Sequence, residues 1–106
     1  MLPVICIDGA KLAAAKFQAV RMVAYATELA VVKTLETGLA TFWSRSRQSL
    51  WTKGEQSGNV LLVRAAYTDC DADNLLLDVQ AIGPTCHTGA ETCFVIPGEK
   101  GEEDGA

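Results

Sequence analysis

Asp69-Cys70-Asp71-Ala72-Asp73, followed by Cys86-His87-Thr88-Gly89 and Cys93, gathers metal-ligating groups into one short stretch of the sequence. Three of the four cysteines and the single histidine lie there, interleaved with carboxylates at every second position. Thiolates are soft ligands that suit zinc, while clustered carboxylates suit a hard ion such as magnesium. Two chemically different metal sites are more than a fold needs, so the stretch reads as an active site.

Cys70, Cys86 and Cys93 do not form the paired knuckles of a structural zinc site. They sit on separate loops, and three ligands leave a fourth position for water or substrate. Water bound there would have its pKa lowered to roughly 7. Closure of the site by His87 or Cys6 is the bland alternative. Alternation puts Asp69, Asp71 and Asp73 on one side of the chain if the segment is extended, with Cys70 facing the other way. Three carboxylates so close repel unless a cation sits among them. His87 is the only side chain whose unperturbed pKa lies near neutrality, and it adjoins a thiol. It is the candidate to accept or deliver a proton. Trp43-Ser44-Arg45-Ser46-Arg47-Gln48 and Trp51-Thr52-Lys53-Gly54-Glu55 mix indoles with groups that suit phosphate oxygens. Arg45, Arg47 and Lys53 are therefore candidate substrate-binding residues. The residues alone describe a metal-dependent hydrolase acting on an anionic molecule.

These groups need a scaffold, and the 106 residues allow one domain, expected over 1–97. Residues 98–106 hold glycines and charges without an apolar anchor and read as a disordered tail. So short a chain invites support from bound metal or dimerisation. A net charge of −4 argues against nucleic acid as partner. No apolar run is long enough to span a membrane, and the N-terminus lacks a signal-peptide pattern. The expectation is a cytoplasmic protein with reduced thiols.

Leu2 to Ile7 reads as a strand ended by Asp8-Gly9, alanine-rich Ala10 to Val20 as a helix, and Met22 to Tyr25 as a second strand. Thr27 caps the next helix, Glu28 suits its positive end, and Gly38 stops it. Leu29, Val32 and Leu35, widened by Val31, form its apolar stripe. Strands are expected at Thr41–Trp43, Val60–Tyr67 and Leu75–Val79, with a turn at Gly54–Asn59. Asp69–Asn74 and Cys86–Cys93 fall in loops, which can present side chains without disturbing a sheet. Cys6, in an apolar strand, reads as core. The expected class is α+β, mostly antiparallel strands with one principal helix.

The same motifs, with Ser57-Gly58-Asn59, Gly83-Pro84-Thr85 before Cys86 and Phe94 after Cys93, resemble phosphoribosyl-AMP cyclohydrolase. The likeness covers about residues 23–94, roughly two thirds of the chain, in several long motifs in order. The resemblance implies an intertwined homodimer in which Cys70, Cys86 and Cys93 bind zinc, Cys70 being donated across the interface. It also implies magnesium at Asp69, Asp71 and Asp73. The implied reaction is the hydrolytic opening of the N1–C6 bond in the adenine ring of 1-(5-phosphoribosyl)-AMP, a step of histidine biosynthesis. By this analogy zinc activates water, His87 manages protons, and magnesium and the basic segment hold phosphates.

This chain departs from the family pattern at Ala72, where relatives usually have glycine, in the long alanine-rich Ala10–Val20, and after Tyr25, where a Met-Asn pair is usual. The chain also ends before the pyrophosphohydrolase domain that many relatives carry fused. The rival readings are a non-catalytic zinc-binding relic and a zinc hydrolase of another purine nucleotide. The His-x-Glu arrangement usual in zinc deaminases is absent.

Overall fold

Pro3 to Ile7 is apolar and rich in β-branched residues, and β1 runs over Leu2–Ile7 as the sequence leads one to expect. Asp8 ends the strand, and its carboxylate accepts from the Ala10 and Lys11 amides at 3.1 and 3.2 Å. The computed structural model describes residues 1–14 and 19–94. Within them the helix that follows, α1, spans only Gly9–Ala13, and Val20 already opens β2, Val20–Ala26. The expected helix over Ala10–Val20 is thus borne out at its start and corrected at its end, where Val20 is already strand; its centre lies outside the described residues. Antiparallel pairing of Val20 with Ile7 and of Met22 with Cys6 overrides the alanine propensity. The expected tail at 98–106 also lies outside the described residues.

The helix α2, Glu28–Thr37, is capped as its sequence implies. Thr27 Oγ1 accepts from the Ala30 amide at 3.2 Å, and Gly38 takes the left-handed stop at φ 75°. Its apolar stripe faces outward. Leu29, Val32 and Leu35 are exposed, and the buried residues are Ala30 and Thr34. Small side chains let the helix approach closely. The Thr34 hydroxyl, 2.9 Å from the Ala30 carbonyl, accepts from the Thr41 amide at 3.0 Å and ties α2 to the next strand.

That strand, β3 (Thr41–Ser44), turns back into β4 (Ser49–Thr52), a strand the sequence reading missed. Phe42 is fully buried, its ring centroid 5.2 Å from that of Trp51 across the hairpin. The Gly54–Asn59 turn leads to β5 (Leu61–Thr68), and a hairpin returns as β6 (Leu75–Ala81). Among the described residues the four-stranded sheet has the order β2-β1-β6-β5, and only β1 and β6 pair in parallel. The class is α+β and mostly antiparallel, as expected. No helix among the described residues is long and apolar enough to cross a membrane.

One face of the sheet carries the core: Val4, Cys6, Met22, Leu75, Leu77 and Val79, covered by Ala30, Ala40 and Phe42. The other face is not covered by any of the described residues. Val23, Ile5, Leu76 and Tyr67 lie in register across its four strands, with Val23 and Tyr67 exposed and Tyr25 exposed beside them.

Cys6 is fully buried, and its thiol is pushed up to about 12, by burial first and by the neighbouring Cys93 second. At pH 8 a thiol reagent should leave Cys6 untouched in the folded protein and reach it only after denaturation. The unfolded chain releases this proton near 9.0, the folded chain near 12. Its stabilising contribution is therefore complete below pH 9 and is lost as the pH rises toward 12, on the order of 4 kcal/mol. Urea titrations at pH 8 and 10.5 would test this; an unchanged midpoint contradicts it.

Candidate active site

The acidic residues occupy the loop between β5 and β6. Asp69 organises it: Oδ1 accepts from the amides of Asp73 at 3.0 Å and Asn74 at 3.1 Å, and Oδ2 from Asn74 Nδ2 at 2.7 Å. The segment is a turn and not extended, so strand alternation does not explain the grouping. The turn itself brings ligand atoms of Asp69, Asp71 and Asp73 within 4.8 Å of one another. Hydrogen bonds from Asn74 hold the Asp69 carboxyl down at about 2, whereas Asp71 and Asp69 beside it push Asp73 up. Crowded negative charge of this kind is what a cation relieves.

Ala72 sits in this turn at φ 59°, where a Cβ is strained. Ala72→Gly should remove that strain and raise stability by roughly 0.5–1 kcal/mol after the extra flexibility of unfolded glycine is counted. The measurement is the urea midpoint, expected to rise at constant slope.

Cys86 and Cys93 lie on the two arms of the loop after β6, joined by Cys86 N–H to the Ala90 carbonyl at 3.0 Å. Cys93 N–H donates to the Arg21 carbonyl of β2 at 2.9 Å. The two thiols are near enough for each to influence the other's ionisation. A hydrogen bond from Thr88 Oγ1 at 3.1 Å draws the Cys86 thiol down. Cys93 keeps solvent contact as a residue, yet desolvation of its sulfur, then the nearby Cys86, pushes it up. His87 Nδ1 lies 4.0 Å from Cys86 Sγ.

Lys53 lines the same hollow, of about 310 Å³, with Ser57, Asn59, Cys86 and His87. Its positive charge favours both thiolates. Gly83 permits the approach of Asn59, since a Cβ there would meet Asn59 Oδ1 at 2.5 Å. Arg47 lines an adjoining groove with Trp51, Glu55 and Ser57. Arg45 instead stacks on Tyr25, its guanidinium carbon 5.1 Å from the ring centroid. The basic residues read together from sequence thus face different places.

Cys70 does not join the other thiols. It is in the acidic loop before β6, and Cys86 follows the far end of that seven-residue strand, a separation of roughly 20 Å. The larger hollow, about 690 Å³, lies at the acidic end, bordered by Leu2, Ala26, Glu28, Val31 and Asp73. Sequence reasoning overlooked Arg21 and Thr88. The one signal for Arg21 was a charge inside the otherwise apolar strand Val20–Ala26.

A family model described as Phosphoribosyl-AMP cyclohydrolase matches residues 22–95. The chain belongs to the phosphoribosyl-AMP cyclohydrolase family. A relative from Bacillus cereus that bears this name is 57% identical over 75 residues, 71% of this chain and 74% of its own. One of the same name from Desulfatibacillum aliphaticivorans is 48% identical over 103 residues, covering 94% of this chain and 78% of that one. A histidine biosynthesis bifunctional protein, HisIE, from Photobacterium profundum is 51% identical over 87 residues, 82% of this chain but 42% of its own length. The phosphoribosyl-AMP cyclohydrolase match contains both loops and the Lys53 turn; β1 and α1 precede it.

Proposed function

We propose that this enzyme is a phosphoribosyl-AMP cyclohydrolase of histidine biosynthesis, acting in the cytoplasm as a domain spanning 1–97. Water adds at C6 of the N1-phosphoribosylated adenine and the N1–C6 bond breaks. The product is the formimino-carboxamide ribonucleotide, and no ammonia leaves. The observation that carries the reading is the hollow where Cys86, His87 and Lys53 meet in a chain of this family.

The donor sets suit the metals that the family resemblance implies. Two adjacent thiols, one drawn down by Thr88, are soft ligands for zinc. Three crowded carboxylates are hard ligands for magnesium. Zinc would be held by Cys86 and Cys93 with Cys70 from a second copy, and magnesium by Asp69, Asp71 and Asp73. When bound, zinc acts as a Lewis acid that makes water a nucleophile at neutral pH. His87, beside Cys86 in the hollow, would take or return a proton at the reacting atoms. Lys53, at the hollow, and Arg47, in the next groove, suit the phosphates. Arg45, over Tyr25 on the open sheet face, would act from the interface.

Two observations support a homodimer with a shared zinc site. Cys70 is separated from the other thiols by the length of β6. The uncovered row of Val23, Ile5, Leu76 and Tyr67 offers an apolar surface of the kind that copies of a small domain bury.

The test is turnover of phosphoribosyl-AMP by the purified protein, with zinc and ammonia measured on the same sample. Ring opening without ammonia is expected. Bound zinc without turnover would favour the relic, and ammonia release a deaminase.

A further inference from the structure

Arg21 is 2% exposed at the head of β2. Among the described residues the only ion pair is Lys11–Glu91, so this buried guanidinium has no carboxylate partner there. Its Nε donates to Thr85 Oγ1 at 3.1 Å, next to Cys86. Its carbonyl accepts from Cys93 N–H at 2.9 Å and from Thr92 Oγ1 at 3.2 Å. Thr92 Oγ1 also donates to the Val20 carbonyl. One residue therefore grips both arms of the thiol loop, through its side chain on one arm and its backbone on the other.

The charge needs an account as well. A buried cation without a counter-charge is costly. The thiols beside it acquire negative charge once they bind a metal. Three thiolates around a divalent ion leave one net negative charge in a partly dry site. The guanidinium carries its opposite.

We propose that Arg21 is a positioning residue of the metal centre: it clamps the arms bearing Cys86 and Cys93, and its buried charge balances the excess negative charge of a three-thiolate zinc. The inference rests on the zinc reading above and deepens it. Arg21 stands one residue before the stretch that the family model matches.

The experiment measures zinc affinity of the full chain by chelator competition for the wild type and for Arg21→Leu, Arg21→Gln and Arg21→Lys. Thiolate-to-cobalt absorption and thermal unfolding of the metal-free proteins accompany it. Loss of the charge should weaken zinc about 10–100-fold in both Arg21→Leu and Arg21→Gln and diminish the cobalt band. Metal-free Arg21→Leu should be no less stable than wild type, because an apolar side chain replaces an uncompensated charge. Arg21→Lys should recover most of the affinity. Should Arg21→Leu fail to fold, the Gln and Lys pair decides alone. Wild-type affinity in Arg21→Gln, or equal losses in Gln and Lys, overturns the proposal while the zinc reading stands. A wild-type protein that binds no zinc overturns both.

Discussion

Cys93→Ser is expected to lose zinc and turnover together, with kcat/KM down at least about 1,000-fold and bound zinc falling from about one per chain to near none. The substitution replaces sulfur with oxygen and little else. A serine hydroxyl does not ionise near neutral pH and is a poor ligand for a borderline-soft ion. The backbone at 93 is held from outside the site by the Arg21 carbonyl, and Thr92 ties the same arm to β2, so the loop should keep its place. Circular dichroism guards against unfolding, and metal analysis with turnover on one sample reads the result. A zinc-free Cys93→Ser protein that works at the wild-type rate would sink the zinc assignment.

Local chemistry made much of the fold legible. Asp8, Thr27 and Gly38 mark ends of elements because their side chains or left-handed backbone act within a few residues. The acidic and thiol loops were legible as loops because apolar strands flank them. What escaped depends on distant partners. Val20 pairs with Ile7 across the sheet, and nothing between residues 10 and 20 announces that pairing. The α2 stripe was legible as an apolar face, but periodicity does not say what covers it. Ala30 and Thr34 face inward since only small side chains fit that close approach. β4 was hidden because Ser49-Leu50-Trp51-Thr52 is short and follows residues that look like phosphate ligands. The strand that separates Cys70 from Cys86 was legible too, as the apolar run Leu75–Val79.

Subunit mixing turns that separation into a test with a large effect. Cys70→Ser and Cys93→Ser proteins should each be nearly inactive alone, yet an equimolar mixture that has exchanged subunits should regain about a quarter of the wild-type activity. Random exchange makes half of the dimers mixed. Each mixed dimer holds one intact zinc site, with Cys70 from the Cys93→Ser chain and Cys86 and Cys93 from the Cys70→Ser chain. Its other site lacks two thiols. The geometry demands this sharing if the three thiols bind one ion. Zinc–sulfur bonds are about 2.3 Å, so thiolates on one ion lie within about 4 Å of each other. The β6 strand keeps Cys70 roughly 20 Å from Cys86 in one chain. The mixture is unfolded and refolded together, or incubated until exchange is complete, and assayed for turnover and bound zinc. Recovery of both near a quarter establishes that the site spans two subunits. If all three thiols came from one chain, every site in the mixture would lack one of them and nothing would be regained.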